Sequence, residues 1–309
     1  MKKIMKTNKQ KAKYGTFHLL IINEDKYIDG ACISVSTYRK YGNNNVEHNC
    51  MIDKSISEKG ILKLKKYFDN ILLVQLINLE SNFQLRTNKL KERYGLWANY
   101  AFTKWYILMF DSYEKVLLCD IDTLAVADYT KIFDIKTPAW CVFHKNALDD
   151  LHHQQIIGDS KSGDVMDKKY IENYTNEKLE DICNRKVKNK NFFIPVNGSI
   201  VLLKPSKKVF QELLDFVQSK NTLRMLSSLS FPDENILFEF YICHKKEKVY
   251  QIGSEYLTTY WKYLAKQPAF PRKPIILNFD STDKPWLKNK NNLYEEEIMW
   301  YDIRKKLKL

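Results

Sequence analysis

Lys115-Val-Leu-Leu-Cys-Asp-Ile-Asp-Thr-Leu124 is the stretch on which the fold class turns. Its apolar run is short enough for a buried strand, and it ends on two acids, Asp120 and Asp122. Upstream, Phe17 to Ile22 (FHLLII) is a second such run and opens into the polar Asn23-Glu24-Asp25, the position where ligand loops sit in open α/β sheets. Between the two lie a helical stretch from about Tyr27 to Arg39, an alternating strand at Val46 to Ile52, a helix near Glu58 to Phe68 and a strand at Ile71 to Leu76. This β-α-β-α-β order predicts a mostly parallel central sheet flanked by helices. An aromatic helix around Asn99 to Phe110 then leads into the acid-tipped strand.

Downstream, Trp140 to Phe143 reads as another strand. Residues 145–191 are polar and charged with few periodic apolar positions, which predicts a surface insertion, helical near Asn176 to Asn184. Val196 to Leu203 returns to the sheet, and Pro205-Ser206 caps an amphipathic helix through about Gln218. A helix at Asp233 to Tyr241, a short strand at Ile275 to Phe279 and a helix from Glu295 to Leu309 complete the expected order. The last helix carries acids early and bases late, as its dipole favours. The organisation expected is a basic tail at 1–14 and one domain over 15–309.

A chain of 309 residues with 44% apolar content can bury the core of one large domain. The N-terminus is basic without a signal-length apolar run, and no later segment approaches the roughly 18 apolar residues of a membrane span, so a soluble, cytoplasmic protein is expected. Six cysteines, spaced far apart without a CxxC pair, read as reduced, buried thiols. The formal charge of +13 is spread along the chain and accompanies no nucleic-acid-binding motif, so nucleic acid is not the expected partner.

Alternation along Asp120-Ile121-Asp122 points both carboxylates to one side, where they can share a hard divalent cation, and such a cation can bridge phosphate oxygens. Stabilising a departing diphosphate is the chemistry this permits. The motif alone is short enough to recur as an ordinary turn.

Further matches surround it. Phe17 to Ala31, Phe102-Thr103-Lys104-Trp105, the run ending at Leu124, Phe133, Asn197-Gly198-Ser199, Pro205-Ser206, Phe231 to Leu237, and Asn278-Phe279 with Lys284-Pro285-Trp286 follow one another in the order found in glycosyltransferase family 8, and the chain resembles its glycogenin-like members. The resemblance implies a single domain of GT-A type and a retaining, metal-dependent transfer of a hexose from a UDP-sugar to a protein or glycan hydroxyl. Glucose is the best guess for that hexose. The implied metal is Mn²⁺ or Mg²⁺, held by Asp120, Asp122 and Asn278. Ile21, Asn23 and Tyr27 match positions around uracil and ribose, with Tyr27 alternatively a packing residue. Lys104, with Arg93 at a slightly different spacing, matches a cation beside the donor, and Asp120-Ile121-Asp122 matches the diphosphate site.

Asn197 and Gly198 match positions near the sugar. Asp233 and Glu234 match an Asp-Gln pair facing the reacting centre, with Glu in place of Gln. Asn278 stands where the family has a histidine metal ligand and Ser281 where it has glycine, while Lys284 is kept to neutralise phosphate. Tyr256, Tyr260 and Tyr263 lie in the region where glycogenin-like proteins carry a self-glycosylated tyrosine, and a homodimer is a reasonable assembly on the same resemblance. A nucleotide-sugar-binding protein without activity, and a phosphate hydrolase, are the alternatives.

Overall fold

In the computed structural model the described residues are 3–4, 12–22, 24–79, 97–142, 162–175, 177–184, 186, 196–218, 232–259, 274–279, 284–287, 293 and 295–309. Eleven strands occur among them: β1 Lys3–Ile4, β2 Tyr14–Leu20, β3 Val46–Ile52, β4 Asn70–Leu73, β5 Lys115–Cys119, β6 Thr123–Ala125, β7 Ala139–Val142, β8 Val196–Leu203, β9 Tyr250–Ile252, β10 Thr258–Thr259 and β11 Ile276–Asn278. The helices are α1 Ile28–Tyr41, α2 Glu58–Leu64, α3 Lys168–Thr175, α4 Leu179–Cys183, α5 Lys207–Gln218, α6 Pro232–Glu239 and α7 Glu295–Lys306.

The main sheet has eight strands in the order β1-β4-β3-β2-β5-β8-β7-β9. Strands β4, β3, β2 and β5 run parallel, β8 is antiparallel to both β5 and β7, and β9 is parallel to β7. A three-stranded sheet, β10-β11-β6, leaves the main one just after the acid pair. Strand β2 pairs with β3 on one side and with β5 on the other. The sheet order therefore reverses between β2 and β5, and the crevice at the C-terminal ends of such a pair is where open α/β sheets bind ligands.

Period-two alternation divides the core. Phe17, Leu19, Ile21, Met51, Val116 and Leu118 face one side with Phe102, Trp105 and Trp140. Leu20, Cys50, Ile52 and Ile71 face the other, against Ile28, Ala31, Cys32 and Val35 of α1. Helix α1 seats a tryptophan through Gly30, where a Cβ would come within 3.0 Å of the Trp286 ring.

Several expectations are adjusted. The aromatic segment is a 3-10 helix, Ala101–Met109, instead of an α-helix. Three residues per turn aligns Phe102, Trp105 and Leu108 toward the core and puts Lys104 on a separate line, so burial on more than one side overrides α-propensity. The helix expected near Glu58 to Phe68 stops at Leu64, and the strand expected at Ile71 to Leu76 runs from Asn70 to Leu73. Part of the basic tail, Lys3–Ile4, adds an antiparallel edge strand to β4.

In the polar segment, α4 falls where a helix was expected, whereas α3 was not anticipated. This segment also supplies Met166, Ile171 and Ile182 to the largest core cluster and exchanges backbone hydrogen bonds of 2.8–2.9 Å with Val249 and Gln251. The cysteine reading is corrected. Cys183 of α4 and Cys243, in the turn after α6, form a disulfide across 60 residues of sequence, while Cys32, Cys50, Cys119 and Cys141 are free and buried. Packing of α4 against that turn brings the two together, which spacing alone does not reveal.

Candidate active site

The end of β5 is held from two directions. Asp120 N–H donates to the Ser199 carbonyl of β8 at 2.9 Å. Its own carbonyl accepts from Thr123 Oγ1 at 2.7 Å, and Tyr38 of α1 lies 3.0 Å from that hydroxyl. Ala125 N–H donates to Thr37 Oγ1 at 3.0 Å, so α1 clamps the chain directly after the acids. Tyr38 and Thr37 carry no motif of their own; Thr123 and Ser199 stand inside quoted motifs without an assigned role.

Asp120 and Asp122 meet two different ammonium groups. Lys104 Nζ is 2.8 Å from Asp120 Oδ1 and 3.6 Å from Asp233 Oδ2, with its side chain only 8% exposed. The Trp97 ring lies 5.2 Å from the same nitrogen. Lys104 is thus a buried bridging cation, not a solvated helix lysine. Burial alone would lower its pKa, but the carboxylates of Asp120 and Asp233 outweigh that and raise it, which keeps it charged. Lys284 donates to Asp122 Oδ2 and, at 2.7 Å, to the Phe279 carbonyl. Phe279 N–H in turn donates to the Asp122 carbonyl at 2.8 Å.

Strand β11 places Asn278 opposite Thr123, beside Asp122. Asn278 is fully buried; its amide Nδ2 donates to Ser199 Oγ at 3.1 Å, while Asn278 Oδ1 has no hydrogen-bond partner among the described residues. Asp122 Oδ1 is likewise buried without one. Buried acceptor oxygens are normally satisfied. Two orphan oxygens, one at the end of β11 and one in the turn just before its partner β6, one of them a carboxylate oxygen, fit a hard divalent cation, for which carboxylate and amide oxygens are both suitable donors. Charge agrees: four carboxyl groups, Asp120, Asp122, Asp233 and Glu234, converge on two lysines. No cluster of three or more His, Cys, Asp or Glu side chains placed to hold a metal occurs among the described residues.

Helix α6 brings Asp233 and Glu234 to the same place. Burial raises the Asp233 carboxyl, and Lys104 opposes the shift. Glu234 goes well above the ordinary range, first through burial and then through the neighbouring Asp233 charge. Its carboxylate oxygen Oε2 accepts from Gly198 N–H. A Cβ at Gly198 would lie 2.5 Å from that oxygen, so the space over this glycine is filled by Glu234. Asn197 Oδ1 accepts from Ser199 N–H at 2.7 Å, which ties its amide to the strand.

At the end of β2, Ile21 is buried and Ile22 has φ +62°, a strained value for a β-branched residue. Ile22 N–H donates to Asp53 Oδ1 at 3.1 Å, which helps hold that conformation. Tyr27 is 7% exposed and meets the Trp286 ring edge-on at 5.6 Å, a packing arrangement. Ile121 packs partly buried on the α1 side of the sheet. Tyr256 is 5% exposed and packs in the second core cluster. Asn23, Arg93, Ser281, Tyr260 and Tyr263 lie outside the described residues.

No protein-family model matches the chain. It is 21% identical over 292 residues to an uncharacterised protein of Acanthamoeba polyphaga mimivirus, covering 92% of this chain and 87% of that one. It is 28% identical over 115 residues to glycogenin-1 of Caenorhabditis elegans, covering 37% of this chain and 25% of that protein. Among solved structures, the glycosyltransferase GlyE of Streptococcus pneumoniae aligns with a TM-score of 0.51 at 14% identity over 94% of this chain, which spans only 60% of GlyE. LgtC aligns with a TM-score of 0.56 at 14% identity over 94% of this chain and 95% of its own. LgtC has also been solved as a galactosyltransferase with donor and acceptor sugar analogues. The mixed, mostly parallel sheet with flanking helices that this chain shares with these enzymes is the GT-A glycosyltransferase fold.

Proposed function

We propose that the protein is a metal-dependent, retaining glycosyltransferase that moves a hexose, glucose as the best guess, from a UDP-sugar to a hydroxyl of a protein or glycan. The observation that carries this reading is the pair of orphan oxygens, Asp122 Oδ1 and Asn278 Oδ1, at the crevice where the sheet order reverses. Asp120, Asp122 and Asn278 would hold Mn²⁺ or Mg²⁺. When bound, that ion would offset the charge left on the departing diphosphate.

The remaining roles belong to the chain. Lys104 places a fixed positive charge between Asp120 and Asp233, on the side where α6 approaches. Its hold on Asp233 favours a role for that carboxylate in stabilising positive charge at the anomeric carbon over a role as nucleophile. Burial and the neighbouring Asp233 charge favour the protonated form of Glu234, and in that form it can donate a hydrogen bond to a sugar hydroxyl, much as an amide would. The acceptor hydroxyl then attacks from the face the diphosphate leaves; the bond from the anomeric carbon to the phosphate oxygen breaks, and that oxygen takes the hydroxyl proton. Ile21 and the strained Ile22 border the nucleoside end, with Asn23 following.

Among the described residues no helix is long and apolar enough to cross a membrane. The cytoplasm as the enzyme's location and a homodimer as its assembly are proposed on the resemblance to glycogenin-like proteins alone, and the Cys183–Cys243 disulfide is the observation that speaks against a reducing compartment. Asn278 in place of an imidazole ligand favours one second reading, a nucleotide-sugar-binding protein without turnover, because an amide oxygen is the weaker donor for Mn²⁺. Intact-mass spectrometry and UDP release with Mn²⁺ and a panel of UDP-sugars, on wild type and Asp122→Ala, separate the two. Hexose addition or UDP release that disappears in the variant establishes transfer. Binding of UDP with no turnover on any donor or added acceptor favours the silent binder.

A further inference from the structure

Lys284 makes a contact that the proposed diphosphate role does not require. Its side chain is 7% exposed, and its ammonium is bonded to Asp122 Oδ2, a carboxylate assigned above to the metal. The backbone reinforces the arrangement: the same ammonium donates to the Phe279 carbonyl at 2.7 Å, directly after Asn278, and Phe279 N–H donates back to Asp122 O at 2.8 Å. The lysine is therefore tied to the end of β11, directly beside Asn278. Without diphosphate, Asp122 already has its counter-ion.

We propose that Lys284 is an internal competitor for the metal: it neutralises Asp122 in the free protein and gives up that carboxylate only when a diphosphate offers its ammonium another anion. Metal and diphosphate then bind interdependently, because a divalent ion arriving alone meets a carboxylate already shared with a buried ammonium. Such coupling is reciprocal, so Mn²⁺ strengthens UDP binding by the factor by which UDP strengthens Mn²⁺ binding. The inference rests on the metal reading above and adds to it the order in which charges change partner. Lys104 plays no such part, since Asp120 and Asp233 share it and Asp233 remains its partner when Asp120 turns to the metal.

The test is Mn²⁺ binding, followed by electron paramagnetic resonance of the free ion, to wild type and Lys284→Met, each with and without UDP and with no sugar donor present. A charge-assisted hydrogen bond that no longer has to be broken corresponds to tighter Mn²⁺ binding without UDP by on the order of ten-fold or more in the variant. The strengthening of Mn²⁺ binding by UDP falls by a similar factor. Lys284→Gln, whose amide can still donate a hydrogen bond without a charge, shows the same direction and serves if the methionine variant does not fold. Mn²⁺ affinity without UDP that is equal to or weaker than wild type in the folded variant overturns the competitor role and leaves the metal site standing. Absence of Mn²⁺ binding in every protein, with or without UDP, overturns the metal reading and this inference together.

Discussion

Acid should destabilise this fold through two buried histidines, and the size of the effect follows from their surroundings. His18 and His48, on adjacent strands under α1, are 0% and 2% exposed. His18 Nε2 lies 3.0 Å from Ser34 Oγ, with Nδ1 unpartnered among the described residues, and His48 Nδ1 lies 2.8 Å from Thr16 Oγ1. Burial lowers both imidazoles to about 3, helped by their mutual repulsion at His18 and by Arg39 at His48. A folded pKa below the unfolded value of 6.5 means that, below about pH 6.5, the unfolded chain binds protons that the folded one refuses. Stability is therefore complete above pH 6.5 and declines as pH falls toward 3. Between pH 7 and pH 5 each histidine removes about 2 kcal/mol.

Asp122, Asp233 and Glu234, whose pKa values are raised, act in the opposite sense over part of this range, so the total slope mixes both. The difference between wild type and His18→Gln isolates one ring. Urea unfolding followed by tryptophan fluorescence at pH 7 and pH 5 should show wild type losing about 2 kcal/mol more than the variant over that interval. Parallel losses in the two proteins would refute the reasoning, because His18 would then take up its proton equally in the folded and unfolded chains.

Gly198→Ala pushes a methyl group into the Glu234 carboxyl, and overpacking of this kind costs about 1–3 kcal/mol; a thermal melt together with UDP affinity should show both reduced, with Glu234→Ala in the same chain restoring the stability. Cys183→Ser opens a covalent loop of 60 residues, which in the chain-entropy view lowers stability by about 4 kcal/mol, visible as a lower urea midpoint that an added reductant no longer changes.

The strands that build the site were legible because burial writes itself into local pattern. Val46–Ile52, Lys115–Cys119 and Val196–Leu203 run between the residues at which the apolar or alternating stretches begin and end. Helix ends and type were less legible. The segment Ala101–Met109 has the composition of an α-helix or strand, and only its burial on several sides gives it three residues per turn. Helix α3 sits in sequence too polar to announce it, and its packing became visible only with Ile171 in the core.

Within the site, the sequence by itself determined the chemical inventory: a strand that ends on two acids, a lysine before it, an Asp-Glu pair and an Asn-Phe…Lys segment far downstream. Side-chain type and order are local properties, and they suffice to say which groups are available. Which group faces which was decided by the tertiary structure alone. Lys104 lies against Asp120 and Asp233, Lys284 against Asp122, Glu234 over Gly198 and Cys183 against Cys243, at separations of up to 162 residues. The reason is physical: partners of a buried charge are set by the packing of strands and helices remote in sequence, and the cost of leaving such a charge unpaired is felt only once folding has removed the water around it.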